Sequence, residues 1–203
     1  MEKIIIVDYG MGNVGSVLNM FKRIGVEAEI TADLQQIADA KKILLPGVGA
    51  FDHAMRRIVD AGFKDVLDKK ALVDKVPILG ICLGMQLLTR GSEEGILPGL
   101  GWIAADTIKF PPMPGLKVPH MGWNLVKPVT HCLLTTGLPE ESRYYFVHSY
   151  HVKVDKEGNS ILRTTHGVEF DSGIHADNIY GTQFHPEKSH RFGMELLKNF
   201  SRI

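Results

Sequence analysis

The segment 77–89, PILGICLGMQLLT, constrains the fold of this chain more than any other stretch. Residues 77–81 form a short apolar run of the kind that makes a strand covered on both faces. Residues 83–88 read as the start of a helix packed on that strand's sheet. Cys82 stands at the junction, with Gly80 and Gly84 two residues to either side. Strand and helix backbones pass so close in such a turn that glycine is needed on both sides. The central residue is then held, strained and exposed, above the sheet. A following helix presents free N–H groups and a positive dipole end, which favour a thiolate and can hold an oxyanion. A buried structural cysteine between packing glycines would share this pattern. The segment alone therefore marks Cys82 as a candidate nucleophile and no more.

The flanking sequence supplies a sheet for this turn to stand on. Residues 3–8 (KIIIVD) are a β-branched run typical of a central parallel strand. A helix follows with Val17, Met20, Phe21 and Ile24 on one stripe, ending at Gly25. Residues 27–31 predict a second strand, Asp33 an N-cap for a helix running to Ala40, and residues 43–45 a third strand closed by Pro46-Gly47-Val48-Gly49. A long helical region from Phe51 to about Lys75 leads into the cysteine strand. Alternating strands and helices predict an α/β fold with a mainly parallel central sheet flanked by helices. The C-terminal half changes texture and predicts a smaller antiparallel sheet, with strands at 101–110, 143–154, 160–165 and 179–184. Ser189 is expected to cap a closing helix whose apolar face carries Phe192, Leu196, Leu197 and Phe200.

Neither a linker, a repeat nor a low-complexity stretch divides the 203 residues, so a single domain over 1–203 is expected. Lys and Arg total 23, as do Asp and Glu, and the formal charge of zero argues against nucleic-acid or membrane-surface partners. The two cysteines, Cys82 and Cys132, make no disulfide framework and suit a reducing compartment. The N-terminal apolar run is too short for a secretory signal, and nothing approaches the ~18 apolar residues of a membrane span. A cytoplasmic protein is expected.

Two patterns invite other readings. Gly10-x-Gly12-x-x-Gly15 after the first strand matches a dinucleotide fingerprint, with Asp33 near the place of a ribose-binding acid. Taken alone, that motif is weak. Nine histidines raise the question of a metal, but no HExxH or CxxC spacing is present, and no metal or cofactor is expected. His148 and His151, three apart on one expected strand, would point to opposite faces.

Near the C-terminus stands Gln183-Phe184-His185-Pro186-Glu187-Lys188. His185 and Glu187 are two apart on what reads as extended chain, so both side chains face the same way. A carboxylate beside an imidazole fixes its tautomer and stabilises the imidazolium, the orienting role in a Cys–His–acid triad. With Cys82 on a nucleophile turn in the same small chain, catalysis outweighs an ordinary exposed turn.

These segments, together with Pro119-His120-Met121-Gly122-Trp123-Asn124 and Tyr145-Phe146-Val147-His148-Ser149-Tyr150, resemble the class I, triad-type glutamine amidotransferases of flavodoxin-like fold. Within that family they are most similar to glutaminase subunits that serve a cyclase in histidine biosynthesis. The resemblance runs the length of the chain and displaces the dinucleotide reading. It implies a triad of Cys82, His185 and Glu187, and an oxyanion hole built from Leu83 and the Gly47-Val48 peptide. That peptide would have to turn its N–H inward, a flip that glycine makes inexpensive. Gln86, Glu94, Ser149 and Tyr150 are implied as glutamine binders, with Glu93 an alternative to Glu94 one residue away. A heterodimeric partner is implied as well, a (β/α)₈ barrel cyclase faced by Asn13, His120, Met121, Trp123 and Lys188. A neighbouring branch of the family supplies ammonia for amidino groups on surface sugars, and residues 188–194 are at least as similar to that branch.

Overall fold

The computed structural model describes residues 2–203. Its N-terminal half alternates strictly: β1 (Ile4–Val7), α1 (Val14–Arg23), β2 (Ala28–Thr31), α2 (Leu34–Asp39), β3 (Ile43–Gly47), α3 (Phe51–Asp60), α4 (Phe63–Asp68), β4 (Ile78–Cys82) and α5 (Leu83–Leu87). The C-terminal half supplies β5 (Ala105–Lys109), β6 (His120–Pro128), β7 (Ser142–His148), β8 (Tyr150–Val154), β9 (Ser160–His166), β10 (Val168–Ala176), β11 (Ile179–Thr182) and the closing helix α6 (His190–Arg202).

Strands β2, β1, β3, β4 and β11 pair in parallel in that order, and the antiparallel strands continue the same sheet through β10, β9, β6 and β7. The expected smaller antiparallel sheet is thus joined edge to edge to the parallel one. The period-two alternation of β1 divides the core. Ile5 and Val7 pack with Ile37, Phe51, Met55, Ile58 and Leu67 on one face, while Ile4 and Ile6 pack with Phe21, Leu196, Leu197 and Phe200 on the other. Helices α1 and α6 therefore cover one side, and α2, α3 and α4 the other. Among the described residues no helix is long and apolar enough to cross a membrane.

Several local expectations are corrected. The long helix after Phe51 is broken at Gly62, whose φ of 76° starts α4 afresh, and it ends in a π-helical turn at Lys69–Val73. The stretch 143–154 is two strands, because the chain bends at Ser149; β7 then pairs with β6 while β8 pairs with β5 and β10. That bend resets the alternation, so His148 and His151 do not point apart: both rings pack on Phe110, with centroids 5.4 and 4.7 Å away. Asp33 caps α2 as expected, accepting from Gln36 N. Ser189 occupies the N-cap of α6, but its hydroxyl is used elsewhere, accepting from Tyr145 N and donating to the His185 carbonyl.

The glycines around Cys82 are sterically required. A Cβ on Gly84 would overlap the Leu45 carbonyl oxygen, and one on Gly80 would lie 2.6 Å from the Gly84 carbonyl oxygen. Gly15, the last glycine of the dinucleotide pattern, has nothing within 4 Å of a would-be Cβ. The close helix–strand approach which that pattern requires is absent there. Gly84→Ala is accordingly expected to destabilise the chain by about 2 kcal/mol, in the range of overpacked cores. Gly15→Ala, at an open helical position, should be neutral or slightly stabilising. Urea unfolding midpoints of the two variants measure the contrast, and equal midpoints would contradict it.

Candidate active site

Cys82 ends β4 with φ 55° and ψ −111°, a conformation that costs an L-residue energy and is held by the strands on either side. On one side β3 aligns Gly47 with Cys82. On the other, β11 aligns Thr182 with Ile81, so the chain leaving β11 carries Gln183 and His185 towards the nucleophile. Gln183 Nε2 lies 3.8 Å from Cys82 Sγ. The strained turn and its two neighbours are the arrangement that the glycine–cysteine–glycine spacing predicts.

His185 and Glu187 meet, but not on extended chain. Pro186–Lys188 is a 3₁₀ turn, and it brings Glu187 Oε1 to 2.8 Å from His185 Nδ1. Both side chains are buried. The His185 backbone is pinned to Tyr145 O at 2.9 Å, which fixes the ring's base. His185 Nε2 is buried and makes no hydrogen bond of normal geometry, although Cys82 lies near enough to act on its charge. Burial opposes the imidazolium, but the nearby Cys82 and the hydrogen-bonded, charged Glu187 outweigh it and push the His185 pKa up to about 10. Glu187 Oε2 is also buried without a partner.

A cleft of about 330 Å³ opens over Cys82, and Val48, Leu83, Gln86, Glu94, Ser149 and Tyr150 line it. The residues expected around the substrate converge there, except Gly47, which is aligned with Cys82 across β3 and β4 but does not line the cleft. Leu83, at the first position of α5, has an N–H without an intrahelical acceptor. Gln86 is held at 3.1 Å from both the Tyr150 carbonyl and Gln183 Oε1. The two neighbouring glutamates are placed differently, and only Glu94 lines the cleft. Glu94 accepts from Phe51 N at 3.0 Å at the mouth of the cleft, whereas Glu93 turns away to accept from Lys109 N at 2.7 Å. Asp52 steadies the loop that carries Glu94, accepting from Ile96 and Leu97 N, and these backbone bonds hold its carboxyl below the usual range.

The residues expected at a partner surface divide. Met121 and Trp123 are exposed on the outer side of β6, and Trp123 stacks on His190 at 5.4 Å. Lys188 is exposed with its Nζ 5.8 Å above the Tyr145 ring, and Asn13 is exposed while capping α1 through Ser16 N. His120 must be corrected: it is buried, pointing inward from β6 to His148. Strand alternation requires this, since its neighbour Met121 points out.

Sequence reasoning missed Tyr9, Gln183 and His148 as parts of the site. Tyr9 is buried against the Pro46–Gly49 loop and donates to Pro46 O at 2.7 Å; burial pushes its phenol well above the usual range. Gln183 could have been suspected from its place two residues before His185. Tyr9 carries no local signal, because Pro46 lies 37 residues away, and His148 gives none because its His120 partner lies 28 residues away on another strand. Among the described residues, no group of three or more His, Cys, Asp or Glu side chains is placed to hold a metal ion.

The comparisons with known proteins agree with this geometry. The model of the class-I glutamine amidotransferase family matches residues 5–203. A Methanococcus maripaludis protein named imidazole glycerol phosphate synthase subunit HisH 2 is 53% identical over 197 residues, covering 97% of this chain and 98% of that protein. A Bdellovibrio bacteriovorus protein named imidazole glycerol phosphate synthase subunit HisH is 48% identical over 201 residues, covering 98% of each. Among solved structures, a putative GMP synthase component from Thermoplasma acidophilum aligns over 100% of this chain and 93% of its own, with a TM-score of 0.75. At 22% identity that likeness concerns the fold alone. A cysteine elbow on a doubly covered sheet, a buried histidine–glutamate pair beside it, and a family match from residue 5 to the last residue lead to one placement: this chain belongs to the class-I glutamine amidotransferase family.

Proposed function

We propose that this chain is the glutaminase subunit of an imidazole glycerol phosphate synthase. It hydrolyses glutamine to glutamate and ammonia and passes the ammonia to a (β/α)₈ cyclase subunit in histidine biosynthesis. The observation that carries the chemistry is Cys82, strained above the sheet and opening into the cleft beside the buried His185–Glu187 pair. The acceptor pathway rests on the name HisH shared by the two relatives.

In this reading the Cys82 thiolate attacks the side-chain carboxamide carbon of glutamine. The tetrahedral oxyanion is held by the N–H of Leu83 and by the Gly47-Val48 peptide, which lies beside Cys82 across the β3–β4 pair. His185 Nε2 gives its proton to the departing nitrogen, so ammonia leaves and a glutamyl thioester remains. The neutral imidazole then takes a proton from water, whose hydroxide cleaves the thioester and regenerates the thiolate. Glu187 holds the Nδ1–H tautomer throughout. Gln86, Glu94, Ser149 and Tyr150 bind the substrate. Met121, Trp123, Lys188 and Asn13 face the cyclase. The exposed Met121 and Trp123 suit an interface, where aromatic residues and methionine are enriched.

Ammonia must reach its acceptor before water protonates it, so hydrolysis should wait for the partner. An oxyanion donor out of place costs about 10²–10³ in rate. An effector relieves that cost only by binding the completed hole better than the incomplete one. Glutaminase activity of the chain alone is therefore expected to be slow, and to rise about 10²–10³-fold with the cyclase subunit and its nucleotide-like substrate. The assay compares chain, chain plus cyclase, and the loaded complex. A lone chain already as fast as the loaded complex would remove the switch. Failure of the cyclase to bind or stimulate the chain would remove the histidine assignment.

A further inference from the structure

Behind the glutamine-side wall lies a line of hydrogen bonds which that chemistry does not use. Asn124 Nδ2 is 3.1 Å from His120 Nε2, His120 Nδ1 is 2.9 Å from His148 Nε2, and His148 Nδ1 is 2.8 Å from the Tyr150 carbonyl. Both imidazoles are buried, against Phe110, Phe146 and Phe170. The Tyr150 carbonyl also receives Gln86 Nε2, Gln86 bonds Gln183, and Gln183 reaches Cys82 Sγ. The line is therefore continuous from β6 to the nucleophile.

Its protons have a single arrangement. A carbonyl only accepts, so His148 carries its proton on Nδ1 and, when neutral, accepts at Nε2. His120 must then donate from Nδ1 and accept at its own Nε2. Asn124 supplies that last donor and gives its other amide proton to the Thr165 carbonyl at 2.9 Å. Every donor faces an acceptor only while both rings are neutral. The titratable groups facing His148 are His120 from β6, His151 from β8 and His166 from β9, and all three act against its charge. Burial is the larger cause and, with these neighbours, brings His148 down to about 3; burial, then His166, brings His120 down to about 4.

We propose that His120 and His148 are positioning residues for glutamine binding: their fixed tautomers hold the Tyr150 carbonyl, and through it the Ser149–Tyr150 bend and Gln86, in the geometry that receives substrate. The inference rests on the glutaminase reading of the cleft. It gives the inward residues of β6 a role distinct from that of the outward Met121 and Trp123. His120 is the link that forbids the other tautomer of His148.

The test measures L-glutamine affinity by calorimetry on the full chain carrying Cys82→Ser, so that nothing turns over. In that background His148→Leu keeps apolar volume but loses the donor. His148→Asn places Nδ2 where the ring had Nδ1 and keeps it, at the cost of a gap. Loss of one such hydrogen bond corresponds to a weakening on the order of fivefold. His148→Leu is expected to weaken glutamine by at least that factor, His148→Asn by less, and His120→Leu by an intermediate amount. If only packing mattered the order would reverse, because asparagine leaves the larger gap; a leucine variant binding as well as or better than the asparagine variant overturns the proposal. Imidazole ¹⁵N shifts of the unsubstituted chain at pH 7 give the second readout. Both rings should be Nδ1–H, and an Nε2–H ring or an imidazolium at either position overturns the relay. A Cys82→Ser chain with no affinity for glutamine would instead remove the glutaminase reading, and the tautomers would still decide the relay.

Discussion

Cys82→Ser is expected to abolish glutamine hydrolysis while leaving synthesis from added ammonium salt intact in the complex with the cyclase. Removing the nucleophile of a triad hydrolase costs on the order of 10⁶ in kcat. Serine keeps the size of the side chain but not the ionisable sulfur, and at φ 55° it inherits the same strained backbone. The substituted hydroxyl would stand beside the same His185, yet a hydroxyl is far harder to deprotonate than a thiol. The fold should survive, since the exchange removes little volume from the core face to which Cys82 belongs. The partner's chemistry needs ammonia and not this cysteine, so the ammonium-driven rate is the internal control. A complex that lost both activities to the same degree would show that the two sites are not separate. A Cys82→Ser chain still hydrolysing glutamine at an appreciable fraction of the original rate would remove Cys82 from the mechanism.

How much of this was legible in the sequence depended on how local each cause was. The Gly80–Cys82–Gly84 turn could be read because its glycine spacing lies within five residues, although the atom that excludes a Cβ at Gly84 is the Leu45 carbonyl oxygen on β3. The β1, β3 and β4 runs were legible because strands buried on both faces need unbroken apolar sequence. Strand β6 was missed for the opposite reason. Its inward positions carry His120, Gly122 and Asn124 while its outward ones carry Met121, Trp123 and Leu125, so its polarity is inverted relative to an ordinary surface strand. The inward polar groups are tolerated because they bond one another and His148; the outward apolar ones are exposed. Strand β10 was missed because Asp171, Ser172 and Gly173 interrupt its apolar pattern, where the pairing with β9 shifts register. Asp171 and Ser172 find partners on other strands, in Val154 N of β8 and Thr164 Oγ1 of β9. The His185–Glu187 pair was found on the wrong backbone: His185 is extended at the N-cap, Glu187 lies in the 3₁₀ turn that begins at Pro186, and the two meet across that junction rather than along a strand.

His185→Ala should reduce glutaminase activity by roughly 10⁴-fold or more, and Glu187→Gln by a smaller factor, between roughly 10² and 10⁴. Amide replacement of the acid in serine triads costs about 10⁴ because the imidazole takes the wrong tautomer. Here the 3₁₀ turn holds the carboxylate 2.8 Å from Nδ1, and an amide in its place would present either its oxygen or its nitrogen to the ring. The alanine variant loses the proton carrier itself, so it should be the slower of the two. The variants should also separate in pH. Cys82 and Glu187 raise the His185 pKa from its ordinary 6.5 to about 10, so the imidazolium that protonates the leaving nitrogen persists through neutral pH. A raised folded-state value also means that this charge stabilises the native chain fully below about pH 6.5, and that the benefit fades as pH rises through about 10. Glu187→Gln removes one of the two anionic supports and leaves the burial that opposes the charge. The alkaline limb of kcat/KM for glutamine should therefore move to lower pH, and the alkaline loss in urea midpoint, which still sets in near pH 6.5, should end at a lower pH and be smaller. Profiles from near neutrality up to about pH 10 on the loaded complex, with urea titrations of the chain over the same range, measure both effects. An unchanged alkaline limb in Glu187→Gln would mean that this carboxylate does not tune His185, and equal rate losses in the two variants would remove the division of roles between them.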